Sequence, residues 1–75
     1  MKFWPGDIIK NNATGKLRIV VTRSEFEKLS KISAYLDSLL FMKTLDGTDY
    51  KQSWNPERYT LVKRRKSYLK VRKLP

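Results

Sequence analysis

The first clear alternation of apolar and polar positions runs through Leu17-Arg18-Ile19-Val20-Val21-Thr22, placing Leu17, Ile19 and Val21 on one face of a strand and Arg18, Val20 and Thr22 on the other. The β-branched residues from Ile19 to Thr22 favour an extended chain. Turn formers set off a strand before it. Pro5-Gly6-Asp7 precedes Ile8-Ile9, and Asn11-Asn12-Ala13-Thr14-Gly15 separates that pair from Leu17. Further on, residues 39–45 and 48–54 flank Asp46-Gly47, which predicts an antiparallel hairpin with a type I′ turn and positive φ at both central residues. In its first strand Leu39, Phe41, Lys43 and Leu45 share one face and Leu40, Met42 and Thr44 the other, so burial on both sides is expected near its start. Asn55-Pro56-Glu57-Arg58 predicts one turn of 3₁₀ helix before a last strand at Tyr59-Thr60-Leu61-Val62.

Between the second and third strands the period changes. Phe26, Leu29, Ile32, Leu36 and Leu40 recur every three or four residues, and Ser24 stands three residues before Glu27 as in a capping box, which predicts a helix over about residues 25–36. Ser30, Ser33, Tyr35 and Asp37 are indifferent helix formers, so an extended excursion over 24–37 is the rival. The helix's apolar stripe suits packing on a sheet. Its other face mixes Glu25, Glu27, Lys28 and Lys31, unlike the Lys/Arg-rich face of a helix that lies on a membrane.

Five short strands with hairpin connections and a helical step before the last predict a mainly β fold closed into a small barrel. The stretches FWPGDIIK, TGKLRIVV and LLFMKTLDGTDYKQSWNPERYTLV resemble the small SH3-like barrels, the KOW type among them, that recur in transcription and translation proteins and in short phage-encoded proteins. The similarity covers most of residues 3–62. It is carried by Gly6-Asp7, Gly15-Lys16, Leu45-Asp46-Gly47-Thr48 and Pro56 to Val62, with Arg18 where a KOW motif usually has its second glycine. The resemblance implies a five-stranded SH3-like barrel over residues 1–62, with the helix as an insertion between strands two and three.

Composition limits the chemistry. With neither cysteine nor histidine among 75 residues, disulfides, thiolate or imidazole metal sites and most nucleophile–base pairs are ruled out. No enzymatic activity and no cofactor or metal is expected. Asp46 and Asp49 lie close enough in sequence to share a magnesium ion, but acids beside a turn more often fix the turn. Gly15-Lys16 lacks the spacing of a phosphate-cradling loop, which leaves Lys16 a solvated turn residue. The longest apolar run, residues 39–42, is far too short to span a membrane, and the opening Met-Lys-Phe-Trp-Pro-Gly-Asp lacks the apolar core of a signal peptide. An intracellular, soluble protein with no membrane partner is expected.

Charge changes the picture most. Residues 1–62 carry ten Lys/Arg against seven Asp/Glu, or +3, while residues 63–75 carry seven Lys/Arg and no acid, or +7. The composition predicts a flexible basic tail over 63–75 joined to a mildly basic body, and a polyanionic partner, nucleic acid first. Lys63, Arg64, Arg65, Lys66, Lys70, Arg72 and Lys73 would pair with phosphates while Tyr68 stacks on a base. The plain alternative is a solvated charge run. The alternation in Tyr68-Leu69-Lys70-Val71-Arg72 also suits an added edge strand. Trp4 and Trp54 beside turns, with Lys16, Arg18, Arg23 and Arg58, form a secondary set that would extend a basic surface, whereas Phe3 is expected in the core. Expected, then, is a non-enzymatic, regulatory module that contacts DNA or RNA phosphates with little sequence specificity. The alternative is a protein-docking regulator, such as a small phage product that binds a host transcription enzyme like RNA polymerase.

Overall fold

The computed structural model describes residues 3–64. In chain order the elements are β1 (Ile8–Asn11), β2 (Leu17–Val21), α1 (Arg23–Ser30), β3 (Leu40–Lys43), β4 (Tyr50–Ser53), a 3₁₀ turn (Pro56–Arg58) and β5 (Tyr59–Lys63). The five strands form one antiparallel sheet in the order β4-β3-β2-β1-β5. The fold is therefore mainly β with one helix, as expected. The sheet is not closed: β4 and β5 are its two edges, and among the described residues no hydrogen-bonded ladder joins them. Strands of four or five residues end before the edges meet, and the chain crosses the gap through the 3₁₀ turn instead.

Local chemistry explains where each element starts and stops. In the β1–β2 turn, the Asn11 side-chain oxygen accepts from the Ala13 and Thr14 amides at 2.8 and 3.2 Å, and Gly15 takes φ +76°, a conformation that favours glycine. The helix is capped by Thr22, whose hydroxyl accepts from the Glu25 amide at 3.0 Å, two residues before the expected Ser24. It ends at Ser30 rather than near 36. The Ser30 hydroxyl turns back to the Phe26 carbonyl at 2.5 Å and accepts from the Ile32 amide, while Lys31 takes a left-handed conformation, φ 61°.

From there residues 31–39 run without regular structure, held from the side by Gln52. Its amide oxygen accepts from the Tyr35 amide at 2.9 Å and the Ser38 hydroxyl at 2.8 Å. Helix and extended excursion thus each occupy part of the segment, and Leu36, in step with the apolar stripe, is 95% exposed.

The β3–β4 hairpin is also wider than its sequence suggests. Gly47 has φ +74°, but Asp46 does not have a positive φ, so the type I′ turn is not formed. Thr44 and Asp49 close a four-residue loop, the Thr44 amide donating to the Asp49 carbonyl at 2.9 Å. The Asp46 carboxylate accepts from the Thr44 hydroxyl at 2.6 Å, the Thr48 hydroxyl at 2.8 Å and the Thr48 amide at 3.1 Å. These bonds, the Thr44 hydroxyl first, lower its pKa from 3.8 to about 2. Because the folded value lies below the unfolded one, this loop's stabilisation is complete above about pH 4 and is lost as pH falls through about 2. Protection of the Thr48 amide, measured against its intrinsic exchange rate at each pH, should fall over that interval. Asp46→Asn should abolish the acid dependence.

Alternation along the strands divides the core between two faces. Ile9, Val20, Leu40 and Met42 are buried on one face with Phe3, and Tyr59 packs against them. On the other, Val21 and Phe41 are buried beneath Phe26 of α1, with Ala34 and Tyr50 at the margin. The Phe26 ring stands 5.2 Å from Phe41 and meets Tyr50 edge-on at 6.3 Å, centroid to centroid. Leu40, Phe41 and Met42 are consecutive and all buried, so β3 is covered on both sides, as its sequence predicted.

Candidate nucleic-acid interface

The turn entering β1 builds a small buried anchor. Asp7 is 2% exposed. Its carboxylate oxygen Oδ2 accepts from the Trp4 amide at 2.9 Å, and the Asp7 amide donates back to the Trp4 carbonyl at 3.0 Å. Gly6, at φ +97°, makes the sharp reversal, and its amide donates to the Val20 carbonyl at 2.7 Å. Pro5 restricts the residue before it, Trp4, to extended conformations. Phe3 enters the core, as expected, while Trp4 stays 52% exposed.

The same carboxylate receives the start of the basic segment. Arg64 Nε donates to Asp7 Oδ1 and Oδ2 at 3.2 and 3.3 Å, and a terminal guanidinium nitrogen donates to Oδ2 at 3.0 Å. This bidentate pair keeps the guanidinium more firmly protonated than an ordinary arginine, the hydrogen bonds to Asp7 contributing most. Just before it, Lys63 closes β5 opposite Ile8, one residue beyond the expected strand end. Val62 is the extra residue of a bulge there, since Ile9 pairs with Leu61 and Ile8 with Lys63. Arg65, Lys66, Tyr68, Lys70, Arg72 and Lys73 lie outside the described residues, as does the segment read as an added edge strand.

The secondary candidates separate. Lys16 and Arg58 are brought to one end of the sheet, because the Asn11 amide donates to the Lys16 carbonyl and the Asn12 amide to the Arg58 carbonyl, both at 2.9 Å. Arg18 is opposite Ile9 in the ladder and donates to the Leu17 carbonyl at 2.8 Å. That end lies about 13 Å along β1 from Asp7, at roughly 3.3 Å per residue. Arg23 belongs to neither group; it opens α1 and faces Glu27 at 3.8 Å. Trp54, 56% exposed, follows β4.

The acids are mostly occupied. Glu25 pairs with Lys43 at 3.1 Å and Asp49 with Lys51 at 3.6 Å, in addition to the Arg23–Glu27 and Asp7–Arg64 pairs. Asp46 and Asp49 are thus committed to the hairpin loop and to Lys51, and no cluster of three potential metal-binding residues occurs among the described residues. Lys10, Lys16, Arg18, Arg58 and Lys63 make no ion pair among those residues. No helix there is long and apolar enough to cross a membrane.

Asp7 is the residue that sequence reading missed. It stands in a turn-forming triplet, where an aspartate is ordinary, and nothing local announces a partner 57 residues away. Asp7→Asn keeps an acceptor for the Trp4 amide but removes the charge that faces Arg64. Its thermal midpoint should fall, and the deficit should persist at high salt because one partner is buried. Lys51→Gln, which breaks an exposed pair, should leave the midpoint unchanged.

Compared with known protein families, curated proteins and solved structures, the chain matches none of them.

Proposed function

We propose that the chain is a non-enzymatic, nucleic-acid-associated module, an SH3-like barrel of KOW-like kind that presents a cationic segment to DNA or RNA phosphates with little base readout and acts as a small regulatory protein inside the cell. The observation that carries this is the charge of residues 63–75, seven cations without an acid, rooted on the body by the Asp7–Arg64 pair. Two features of the body support it. Four acids are already neutralised by body cations or by Arg64, so little negative charge is left to repel a polyanion. Lys16 and Arg58 add a second positive region at the far end of β1, and Arg18 stands between it and Asp7, opposite Ile9. For the barrel, support comes from the meander β1-β2-β3-β4, the 3₁₀ turn and the return of β5 beside β1.

Base readout should be weak because α1 is unsuited to the major groove: it is eight residues long and carries Glu25 and Glu27. Titration of labelled nucleic acid with the full chain across a salt series tests the proposal. With four to seven phosphates engaged, log K should fall with log salt at a slope of roughly −4 to −6. A flat response would remove nucleic acid as the partner.

A second reading, a protein-docking regulator acting on a transcription enzyme such as RNA polymerase, draws support from exposed apolar side chains. Leu29, Ile32, Tyr35, Leu36, Leu39 and Trp54 are each at least half exposed. Leu29 and Ile32 border a shallow groove of about 400 Å³ between the end of α1 and the β3–β4 loop. Stoichiometric binding to the purified, nuclease-treated enzyme at moderate salt, abolished by Ile32→Asp, would favour this reading over the first.

A further inference from the structure

Trp4 and Arg64 converge on a single oxygen. The Trp4 amide lies 2.9 Å from Asp7 Oδ2 and the Arg64 guanidinium 3.0 Å from the same atom, so the two donors stand within about 6 Å of each other. The Trp4 backbone is fixed on three sides: Pro5 follows it, Gly6 reverses the chain, and Asp7 bonds it twice. Its indole is nevertheless half exposed, next in sequence to a phenylalanine that is 7% exposed. A large, half-exposed aromatic side chain on a fixed backbone, with a guanidinium close to that backbone, suits one kind of ligand better than others. It combines a flat face for a base with positive charge for the adjoining backbone.

We propose that Trp4 is a stacking platform for an unpaired base of a single-stranded nucleic acid, whose adjoining phosphate pairs with Lys63 at the end of β5. This rests on the nucleic-acid function proposed above and narrows it to single strands. In a duplex both faces of every interior base are covered by its neighbours, so an indole finds nothing to stack on without unstacking a step. Single strands offer their base faces freely, and stacking is indifferent to sequence. Asp7 serves as the positioning residue, since it sets Trp4 and Arg64 side by side without itself meeting the ligand. Trp54 is as exposed as Trp4 but no cation is drawn to it in this way among the described residues, which makes it an internal control.

The test uses the full chain, a short oligothymidylate and a duplex of equal length at low salt. Trp54→Phe leaves Trp4 as the only tryptophan, and Trp4→Phe leaves only Trp54. Oligothymidylate should quench Trp4 fluorescence with the same midpoint as binding and leave Trp54 largely unquenched. Trp4→Ala should lose roughly five- to 150-fold in affinity for the single strand, the range expected for one stacked base, with Trp4→Tyr restoring much of it. Affinity for the duplex should stay within about twofold, because the phosphate contacts are untouched. Far-ultraviolet circular dichroism checks that the alanine variant is folded, and Trp4→Leu, which keeps apolar volume without a ring face, should match its loss. An unquenched Trp4 with unchanged affinity in Trp4→Ala and Trp4→Leu, while binding stays salt-dependent, would overturn the platform and leave the wider function standing. No salt-dependent binding to either nucleic acid would overturn both.

Discussion

Phe26→Ala should destabilise the fold by about 3–5 kcal/mol, the usual cost of deleting a fully buried phenyl ring. Phe26 is 1% exposed and is the buried side chain of α1, which depends on it to pack against Val21 and Phe41. The ring also meets Tyr50, so its loss would loosen α1 from both β3 and β4. A domain of this length has only roughly 4–11 kcal/mol of stability, at 0.05–0.15 kcal/mol per residue. The variant should therefore sit near its unfolding midpoint at moderate temperature. Leu36→Ala, three turns along the same apparent stripe, should change stability by less than about 0.5 kcal/mol because that side chain is already in water. Denaturant titrations of the two variants check the contrast. Equal losses would mean that the helix continues past Ser30.

The second large effect concerns binding. Replacing Arg65, Lys66, Lys70, Arg72 and Lys73 with glutamine removes five of the seven cations in residues 63–75 while leaving Lys63 in β5 and Arg64 on Asp7. Each phosphate contact releases condensed counterions, so the loss compounds across contacts; affinity at low salt should fall on the order of a hundredfold or more. Thermal stability should not change, because the body's sheet and ion pairs are retained. A filter-binding titration beside a melting curve separates the two effects. Retained affinity in the variant would move the interface to Lys16 and Arg58 at the other end of the sheet, with Arg18 beside them on β2.

What could be read from the sequence was whatever depends on neighbours in the chain. The turn chemistry of Asn11 and Gly15, the two-sided burial of Leu40 to Met42 and the 3₁₀ turn at Pro56 all follow from local patterns, and each stands where those patterns put it. Competition between rival local hydrogen bonds, and one long-range partner, decided the rest. Helix α1 stops at Ser30 through a side-chain bond to Phe26 and the pull of Gln52 on residues 33–38, and Gln52 is about twenty positions further along. The helix starts early because Thr22 and Glu25 repeat, two residues upstream, the same spacing as Ser24 and Glu27. The hairpin loop widened because Asp46 found better partners in the hydroxyls of Thr44 and Thr48 than a two-residue turn would allow. At the candidate site the cations were plain from composition, but Asp7, which holds Arg64 near the Trp4 backbone, was not.

The central claim is that residues 63–75 grip phosphates, and its most direct test is the salt dependence of binding by the full chain and by the five-glutamine variant on the same nucleic acid. The slope of log K against log salt should become shallower by roughly 4.5 units on duplex DNA, about 0.9 for each of the five cations removed, or roughly 3.5 on a single strand, at about 0.7 each. Identical slopes in the two proteins would contradict the claim.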